Sequence, residues 1–401
     1  MYDRLPAPGK ENRVRITQDN GQIIEGVLSY ADEATQEGSP YTKGNVLPDD
    51  VCDILGIDRV ESEPRDGWLG VIQAVGYSIL TITVLKMDGS PMANTKVEGL
   101  TDIIEQKTYT DSNGKIFLIL KEGQYTLSVP SMMNCVDATL TSQQVSITAG
   151  QRKNVVFQPK SNGATSLRIT STRQIKFSDN VESVDVFCVG GGGGGGGGAY
   201  VSQSNAQSKS AGGGGGGGYT TTKLKASFAP YSEYGAFIGA GGSGGSGGST
   251  SSSASTGFSG STGGTTSVLN VSARGGSPGS GGDFYANSST GRGGNGGSGG
   301  GGSDYGTDSQ YGGAGGTDGS DGTTGTRYQN GGTGQGTTTR AFGELDGELF
   351  ASGGQGGAYY NGSTGSELGS GGGGGYSRSG SCNGGSVGLD GIIILRWRLK
   401  S

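Results

Sequence analysis

The sequence predicts an all-β protein of several domains, and three observations support this. Apolar and polar residues alternate over strand-length segments, which are separated by Asn-Gly, Asp-Gly or Gly turns. Only one short stretch has a helical pattern. The 401 residues include 88 glycines, of which 15 precede Gly190 and 73 lie in 190–401. Composition therefore divides the chain into a mixed segment 1–70, a strand-rich segment 75–160 and a glycine-rich segment 164–401.

Segment 1–70 begins with a predicted hairpin. The run RVRI precedes Asn20-Gly21 and an apolar run returns after it, an arrangement typical of a hairpin turn. In VLPDDVCDILGID, Asp49 is a suitable N-cap and Gly56 ends a predicted short helix. This segment has few core residues, so we expect it to need a partner for stability.

Segment 75–160 predicts a small antiparallel β-sandwich, because its strands break at Gly-containing turns and bury one face each. The predicted inward-facing residues are Leu80, Ile82, Val84, Ile116, Leu118, Tyr125, Leu127, Val129, Val145, Ile147 and Phe157. GSPMANTKVEG followed by TYTDSNGKIFLILKEGQYTLSV resembles the transthyretin-like and carboxypeptidase-regulatory-like modules, which implies a spacer role. In a related family of Gram-positive sandwiches, a lysine and an asparagine form an isopeptide bond. This resemblance leaves open such a bond between Lys86 and Asn154.

Strand-like islands interrupt the glycine in segment 164–401, which argues against a flexible tether. These islands are SLRIT, RQIKF, SVDVFCV, YTTTKLKASF, YGAFIGA, SVLNVSA and GIIILRWRL. In the last island, alternation predicts one face formed by Ile393, Leu395, Trp397 and Leu399 and an opposite face formed by Arg396 and Arg398.

The nine consecutive glycines at 190–198 predict a stiff element. Collagen is excluded because the glycine spacing is irregular and proline is scarce. Ordering glycine costs more backbone entropy than ordering any other residue, so backbone hydrogen bonds must compensate. In polyglycine II helices, which have three residues per turn, N–H and C=O groups point outward and the missing Cβ lets helices pack closely. We therefore expect packed polyglycine II helices framed by β-strands, with Val184, Val186 and Cys188 on one face of the strand before the first helix.

Charge and composition exclude several classes of function. The chain has no histidine, which excludes Ser-His-Asp and Cys-His catalysis and most zinc hydrolase sites. A net charge of −6 without a basic face argues against nucleic acid as a partner. We expect no catalytic residue, cofactor or metal, because the acidic residues form no cluster and GGTDGSDGTTG does not sustain a calcium-binding period. The four cysteines form no CxxC pair, and a Cys188–Cys382 bridge stays open.

No signal peptide is recognised, and GIIILRW is too short to span a bilayer, so we expect cytoplasmic synthesis, release by lysis and no membrane insertion.

Two parts of the chain, one near each end, contain motifs that occur together in a known family. LPAPGKENRVRI and DEATQEGSPYTKGNVLPDDVCDILGID resemble the N-terminal segment of tail proteins from phages and prophages of Gram-positive, Clostridia-like bacteria. The ordered segments VDVFCVGGGGGGGGGAY, GGGGGGGYTTT, YGAFIGAGGSGG and GIIILRW resemble the glycine-rich C-terminal domain that those tail proteins share. The resemblance implies a tail fibre or tail-tip adhesin located in the virion tail.

In that family, 1–70 would attach to other tail or baseplate proteins, 75–160 would be a spacer, and 164–401 would bind a surface glycan or wall polymer. A homotrimer follows from family analogy, with a monomeric tip as the alternative. Another alternative is a purely structural fibre or spacer protein without receptor binding. A wall-degrading tail enzyme is disfavoured by the missing histidine.

Aromatic rings beside short polar groups are typical of sugar-binding surfaces, because sugar CH faces stack on rings. The candidate receptor-binding residues are Phe284, Tyr285, Tyr305, Tyr311, Tyr328, Phe342, Tyr359 and Tyr360, with Phe350 and Tyr376 as further rings of the same segment. The alternative for each ring is a structural role, in which it caps the glycine helices.

Overall fold

The computed structural model describes residues 13–17, 21–27, 76–100, 108–202, 210–251, 253–283, 290–303, 321–324 and 339–400. The described chain consists of strands, extended backbone and two short 3-10 turns at Pro130–Met132 and Ala341–Gly343, which confirms the all-β prediction. It divides into two compact units: Met1–Ser78 with Thr148–Gln151, and Ile79–Ile147 with Arg152–Ser401.

The first unit contains the predicted hairpin. Strands β1 (Arg13–Thr17) and β2 (Ile23–Val27) pair antiparallel, with Thr17 opposite Ile23. Gly21 in the connection has φ +81°, a conformation that glycine adopts without strain. The helix predicted at 49–56 lies outside the described residues.

Seven strands form the sandwich: β3 (Tyr77–Val84), β4 (Lys115–Lys121), β5 (Gly123–Leu127), β6 (Ala138–Thr139), β7 (Gln143–Ile147), β8 (Arg152–Phe157) and β9 (Lys160–Ser161). They form one sheet in the order β4-β3-β8 and two pairs, β5-β7 and β6-β9. β3 and β8 run parallel, so the expectation of a wholly antiparallel sandwich was wrong. Parallel neighbours need a long connection, and here β4 to β7 lie in the connection between β3 and β8.

The predicted core of the sandwich is confirmed. All eleven predicted inward-facing residues belong to one buried cluster, because the strands bury alternate positions. The prediction missed four members of the cluster: Val97, Leu120, Met132 and Val155.

The strand register excludes the Lys86–Asn154 isopeptide bond. Asn154 lies opposite Thr81 on the parallel neighbour. Lys86 follows five positions later along the chain, about 16 Å away at ~3.3 Å per residue, which is farther than a lysine side chain reaches. Asn154 is also exposed.

The remaining strands belong to the glycine-rich segment: β10 (Ser166–Ile169), β11 (Arg173–Ile175), β12 (Val181–Val189), β13 (Tyr200–Val201), β14 (Thr220–Ala226), β15 (Tyr234–Ala236), β16 (Ala254–Ser255), β17 (Thr266–Val268), β18 (Val271–Ala273), β19 (Ser377–Arg378), β20 (Ser381–Cys382) and β21 (Ile392–Leu399). Four of them form a sheet in the order β10-β21-β12-β14, which we call the base sheet. Every predicted island contains a strand, and SVLNVSA contains two, since Leu269 and Asn270 have positive φ and form a tight turn.

The two faces of the base sheet bury separate clusters. The first contains Val184, Val186 and Cys188 of β12 and Ile393, Leu395 and Trp397 of β21, with Leu399 packed against it. This cluster confirms the apolar face predicted for β12 and the one predicted for β21. The second cluster contains Phe187, Val189, Ile392 and Ile394, covered by Phe350 and Phe342.

Glycines 190–198 leave the base sheet as a straight three-residue-per-turn helix, here called a rod. Every N–H from Gly190 to Gly198 donates to a neighbouring segment, and the acceptors repeat with a period of three. Gly190, Gly193 and Gly196 donate to Tyr219, Gly216 and Gly213. The other two sets of N–H groups donate to segments 258–264 and 383–389, and all three accepting segments run antiparallel.

The carbonyl groups of this rod complete a hexagonal arrangement. Those from Gly191 to Gly198 accept N–H groups from three parallel segments, 242–248, 276–282 and 372–375. The rod therefore has six neighbours, as expected for packed polyglycine II helices. Segment 212–218, the second uninterrupted run, is likewise bonded on all sides.

Steric contact explains why these positions are glycine. A Cβ on any residue of 190–198 would lie between 1.9 and 2.2 Å from a backbone oxygen of a neighbouring rod, whereas real Cβ contacts are essentially never closer than 3.0 Å. Outer rods take side chains at the positions that face solvent. In 239–248, Ala240, Ser243 and Ser246 are exposed. The glycine immediately before each of them is buried, and so is the glycine two positions after Ser246.

The sandwich and the glycine-rich segment share buried hydrogen bonds within the second unit. Asp137, which is fully buried, accepts the backbone N–H of Ser178 (2.8 Å) and also the Ser178 hydroxyl. The Asp179 carboxylate accepts the Met87 N–H (3.2 Å) and the Tyr231 hydroxyl. The predicted domain boundaries at 75–160 and 164–401 stay predictions.

Candidate functional site

The rods place several chain segments at the end opposite the base sheet, here called the distal end. Rod 190–198 ends there at β13, which pairs with β16. Ser210 at the start of the next rod is also at this end, since it accepts from Ala199 and donates to Asp283 (3.0 Å). The described residues that flank 203–209 and 284–289 therefore lie together at the distal end.

Three tyrosines surround one arginine at this end, and we call Tyr359, Tyr360, Tyr376 and Arg378 the Arg–Tyr cluster. The Arg378 Cζ atom lies 4.6 Å from the ring centroid of Tyr360, 5.2 Å from that of Tyr376 and 5.5 Å from that of Tyr359. These distances are within the range of cation–π attraction. The side chains of Tyr359 and Tyr360 are 52% and 68% exposed, so solvent reaches the cluster.

Rods fix the backbone under the cluster. Segment 371–375 is bonded to both uninterrupted glycine runs and ends directly at Tyr376. The Ser377 hydroxyl donates to the carbonyl of Ala199 (2.6 Å), at the end of rod 190–198. The strand then turns at Gly380, where φ is +72°, and returns as β20.

Side-chain hydrogen bonds fix the cluster further. The Tyr376 N–H donates to Asn361 Oδ1 (3.1 Å), and the Tyr376 hydroxyl lies 2.8 Å from Ser381 Oγ. Arg378 Nε donates to the carbonyl of Tyr359. This arrangement combines exposed aromatic faces with one cation, the chemistry that binds a sugar ring and an anionic group together.

The structure places the predicted aromatic residues in different locations. Tyr359 and Tyr360 lie in the Arg–Tyr cluster. Phe342 lies at the opposite end, where its ring is 5.7 Å from that of Phe187 and its centroid is 3.7 Å from Arg396 Cζ, so it packs against the base sheet. Phe350 is buried at the same end, with its ring 5.7 Å from that of Phe187. The candidates outside the described residues are Phe284, Tyr285, Tyr305, Tyr311 and Tyr328.

Arg378 was not predicted as a functional residue. Its sequence signal is the pattern GGGGGYSRSGS, in which Tyr376 and Arg378 follow a glycine run with one residue between them. Such spacing places both side chains on one face of a strand, at the position where a rod ends.

The distance between the two ends of the rods excludes the Cys188–Cys382 bridge. Cys188 is buried in the base-sheet core and Cys382 lies at the distal end, with its thiol 3.1 Å from the Gly248 carbonyl. Rod 190–198 separates the two ends by about 28 Å at ~3.1 Å per residue. Both cysteines are free, as is Cys135.

The described residues offer neither a metal-binding group nor a membrane-spanning helix. No group of three or more histidine, cysteine, aspartate or glutamate side chains in this part of the chain could hold a metal ion. Among the same residues, none of the helices has the length and apolar character needed to cross a membrane.

Comparison with known proteins gives one family. The family model described as "Glycine-rich domain" matches residues 167–398, more than half of the chain. None of the curated proteins matches the sequence. Among solved structures, a streptococcal ancillary pilin is similar over 28% of this chain, with 11% identity and a TM-score of 0.18. The matched part spans 41% of the pilin chain, and a similarity of this size carries no argument about fold or function.

Proposed function

This chain belongs to the glycine-rich domain family, and we propose that it is a tail adhesin of a phage or prophage of Gram-positive, Clostridia-like bacteria. Its distal end would bind a glycan or wall polymer on the host surface during adsorption. The role is binding without chemistry.

The observation that carries this proposal is the distal end of the rods. The hydrogen-bonded lattice holds its backbone rigidly, while two tyrosines of the Arg–Tyr cluster keep more than half of their surface exposed. A rigid platform lowers the entropy lost when a ligand binds, and exposed rings offer stacking surfaces for sugars.

The remaining parts of the proposal rest on the sequence resemblance. Segment 1–70 would attach the protein to other tail or baseplate proteins, and the sandwich would act as a spacer. Several copies, in a homotrimer or on one virion, would allow weak single sites to give strong attachment by multivalency.

The test is cell binding by the full chain. Fluorescently labelled protein is mixed with a panel of Gram-positive strains, and bound fluorescence and inhibition of phage adsorption are measured. We expect binding to a subset of strains and inhibition of adsorption on those strains. Absence of binding to every strain that the phage infects would refute the adhesin and favour a structural fibre, and release of reducing sugar from walls would indicate an enzyme.

A further inference from the structure

We propose that the Arg–Tyr cluster recognises an anionic glycan, in which a phosphodiester or carboxylate group lies beside a sugar ring. This inference rests on the proposed adhesin function and specifies the ligand class. It assigns the anion to Arg378 and the sugar face to the tyrosines.

The charge environment of Arg378 is the first argument. Among the arginines of the glycine-rich segment that stack on rings, Arg168 pairs with Glu348 and Arg396 pairs with Glu344. No described carboxylate lies within ion-pair distance of Arg378, and no described residue accepts a hydrogen bond from its Nη atoms. The N–H groups at the end of the guanidinium are therefore available to a carboxylate or a phosphodiester, either of which can accept two of them in a bidentate geometry.

The arrangement of the rings is the second argument. Three tyrosines lie within 5.5 Å of the Arg378 Cζ atom, and two of them are exposed. The rings hold the guanidinium in place, so less side-chain entropy is lost when an anion binds. The outer ring faces are free to stack on the CH face of a sugar attached to that anion.

The net charge of the chain opposes an anionic ligand, so the attraction has to come from the position of Arg378. The chain carries −6 overall, so an anionic polymer is repelled at long range and its binding depends on a local cation. Arg378 supplies such a cation at the distal end, where the proposed adhesin would meet the cell.

The test uses the full chain, immobilised for biolayer interferometry, and three polymer probes. The probes are glucosylated poly(glycerol phosphate), polygalacturonate and neutral dextran, and they separate phosphodiester, carboxylate and uncharged ligands. The variants are Arg378→Gln and, as a matched control, Arg274→Gln. Arg274 stacks on Tyr219 (5.1 Å) at the base-sheet end and, among the described residues, also has no carboxylate partner.

We expect binding to at least one anionic probe and none to dextran. Arg378→Gln should weaken the anionic binding about tenfold or more, the usual effect of losing a hydrogen bond to a charged group. Arg274→Gln should bind like the wild type, and both variants should melt within about 2 °C of it, because each loses only contacts near the surface.

Three outcomes would overturn the inference: equal binding to dextran and the anionic probes, equal binding by the two variants, or no binding to any probe. Cell binding separates this failure from failure of the proposed function. If the wild type binds host cells but Arg378→Gln binds them equally well, the adhesin stands and the anionic ligand does not. If the wild type binds an anionic probe but no cells, the ligand class stands and the adhesin does not.

Discussion

The substitution Gly194→Ala adds one methyl group in the middle of rod 190–198. Its Cβ would lie 1.9 Å from the carbonyl oxygen of Ser243, and real Cβ atoms essentially never approach closer than 3.0 Å. The two rods would have to separate by about 1 Å, which lengthens the hydrogen bonds between them from 2.8–3.0 Å to beyond their effective range.

The expected loss of stability follows from three effects. Overpacking costs about 1–3 kcal/mol. Gly194 also donates to Ser261 and accepts from Gly279, and each hydrogen bond contributes about 0.5–1.5 kcal/mol. Alanine restricts the unfolded chain and returns roughly 0.4–1 kcal/mol. We expect a net destabilisation of about 2–5 kcal/mol, or a melting temperature lower by roughly 3–8 °C for a unit of this size.

Scanning calorimetry of the full chain measures this effect, with Ser246→Ala as the control. Ser246 lies in the neighbouring rod at a position that faces solvent, so its substitution should change stability by less than ~0.5 kcal/mol. If Gly194→Ala melted within about 1 °C of Ser246→Ala, the interpretation of 190–198 as a close-packed rod would be refuted.

Three further predictions concern other parts of the fold. Asp137→Ala leaves the buried N–H and hydroxyl of Ser178 without their acceptor and should destabilise the chain by about 2–4 kcal/mol in denaturant unfolding, whereas exposed Asp346→Ala should have no effect. Burial raises the pKa of Cys188 from 9.0 to about 12, so alkylation at pH 8 should label it only after unfolding, and labelling of the native chain would contradict its burial. Only the unfolded thiol ionises near pH 9, so the stability from this group is complete below that value and declines as the pH rises towards 12. Intact mass spectrometry should show no loss of ammonia, because Lys86 and Asn154 are too far apart to react; such a loss would contradict the register of β3 and β8.

Much of the core was predictable because its patterns are local. The alternation of apolar and polar residues identified the sandwich core. The glycine runs predicted packed helices, because residues without side chains can be ordered only by backbone hydrogen bonds. The spacing of serine in GGSGGSGG carries a further signal of the lattice. Serine at every third residue marks an outer rod, because a three-residue turn returns the same position to the surface.

Other features depend on contacts between distant segments. β3 and β8 pair in parallel because these two strands, which are far apart in the chain, become neighbours in the sheet. The alternation of apolar residues within each strand does not specify its neighbours. The Arg–Tyr cluster forms because two rods end at the same level and bring Tyr360 to Arg378. Single aromatic residues in a glycine-rich sequence do not reveal which rods are neighbours. The sequence therefore marks Phe342 and Tyr360 equally as candidate receptor-binding residues, although they lie at opposite ends.

Hydrogen exchange of the Gly190–Gly198 amides tests the central claim most directly. In the full chain, followed by mass spectrometry of peptides that cover 190–198 and β21, the glycine amides should exchange as slowly as those of β21, since each donates a buried hydrogen bond at 2.8–3.0 Å. Exchange of 190–198 at the rate of an unstructured glycine peptide, while β21 stays protected, would show that the run is a tether and would contradict the lattice.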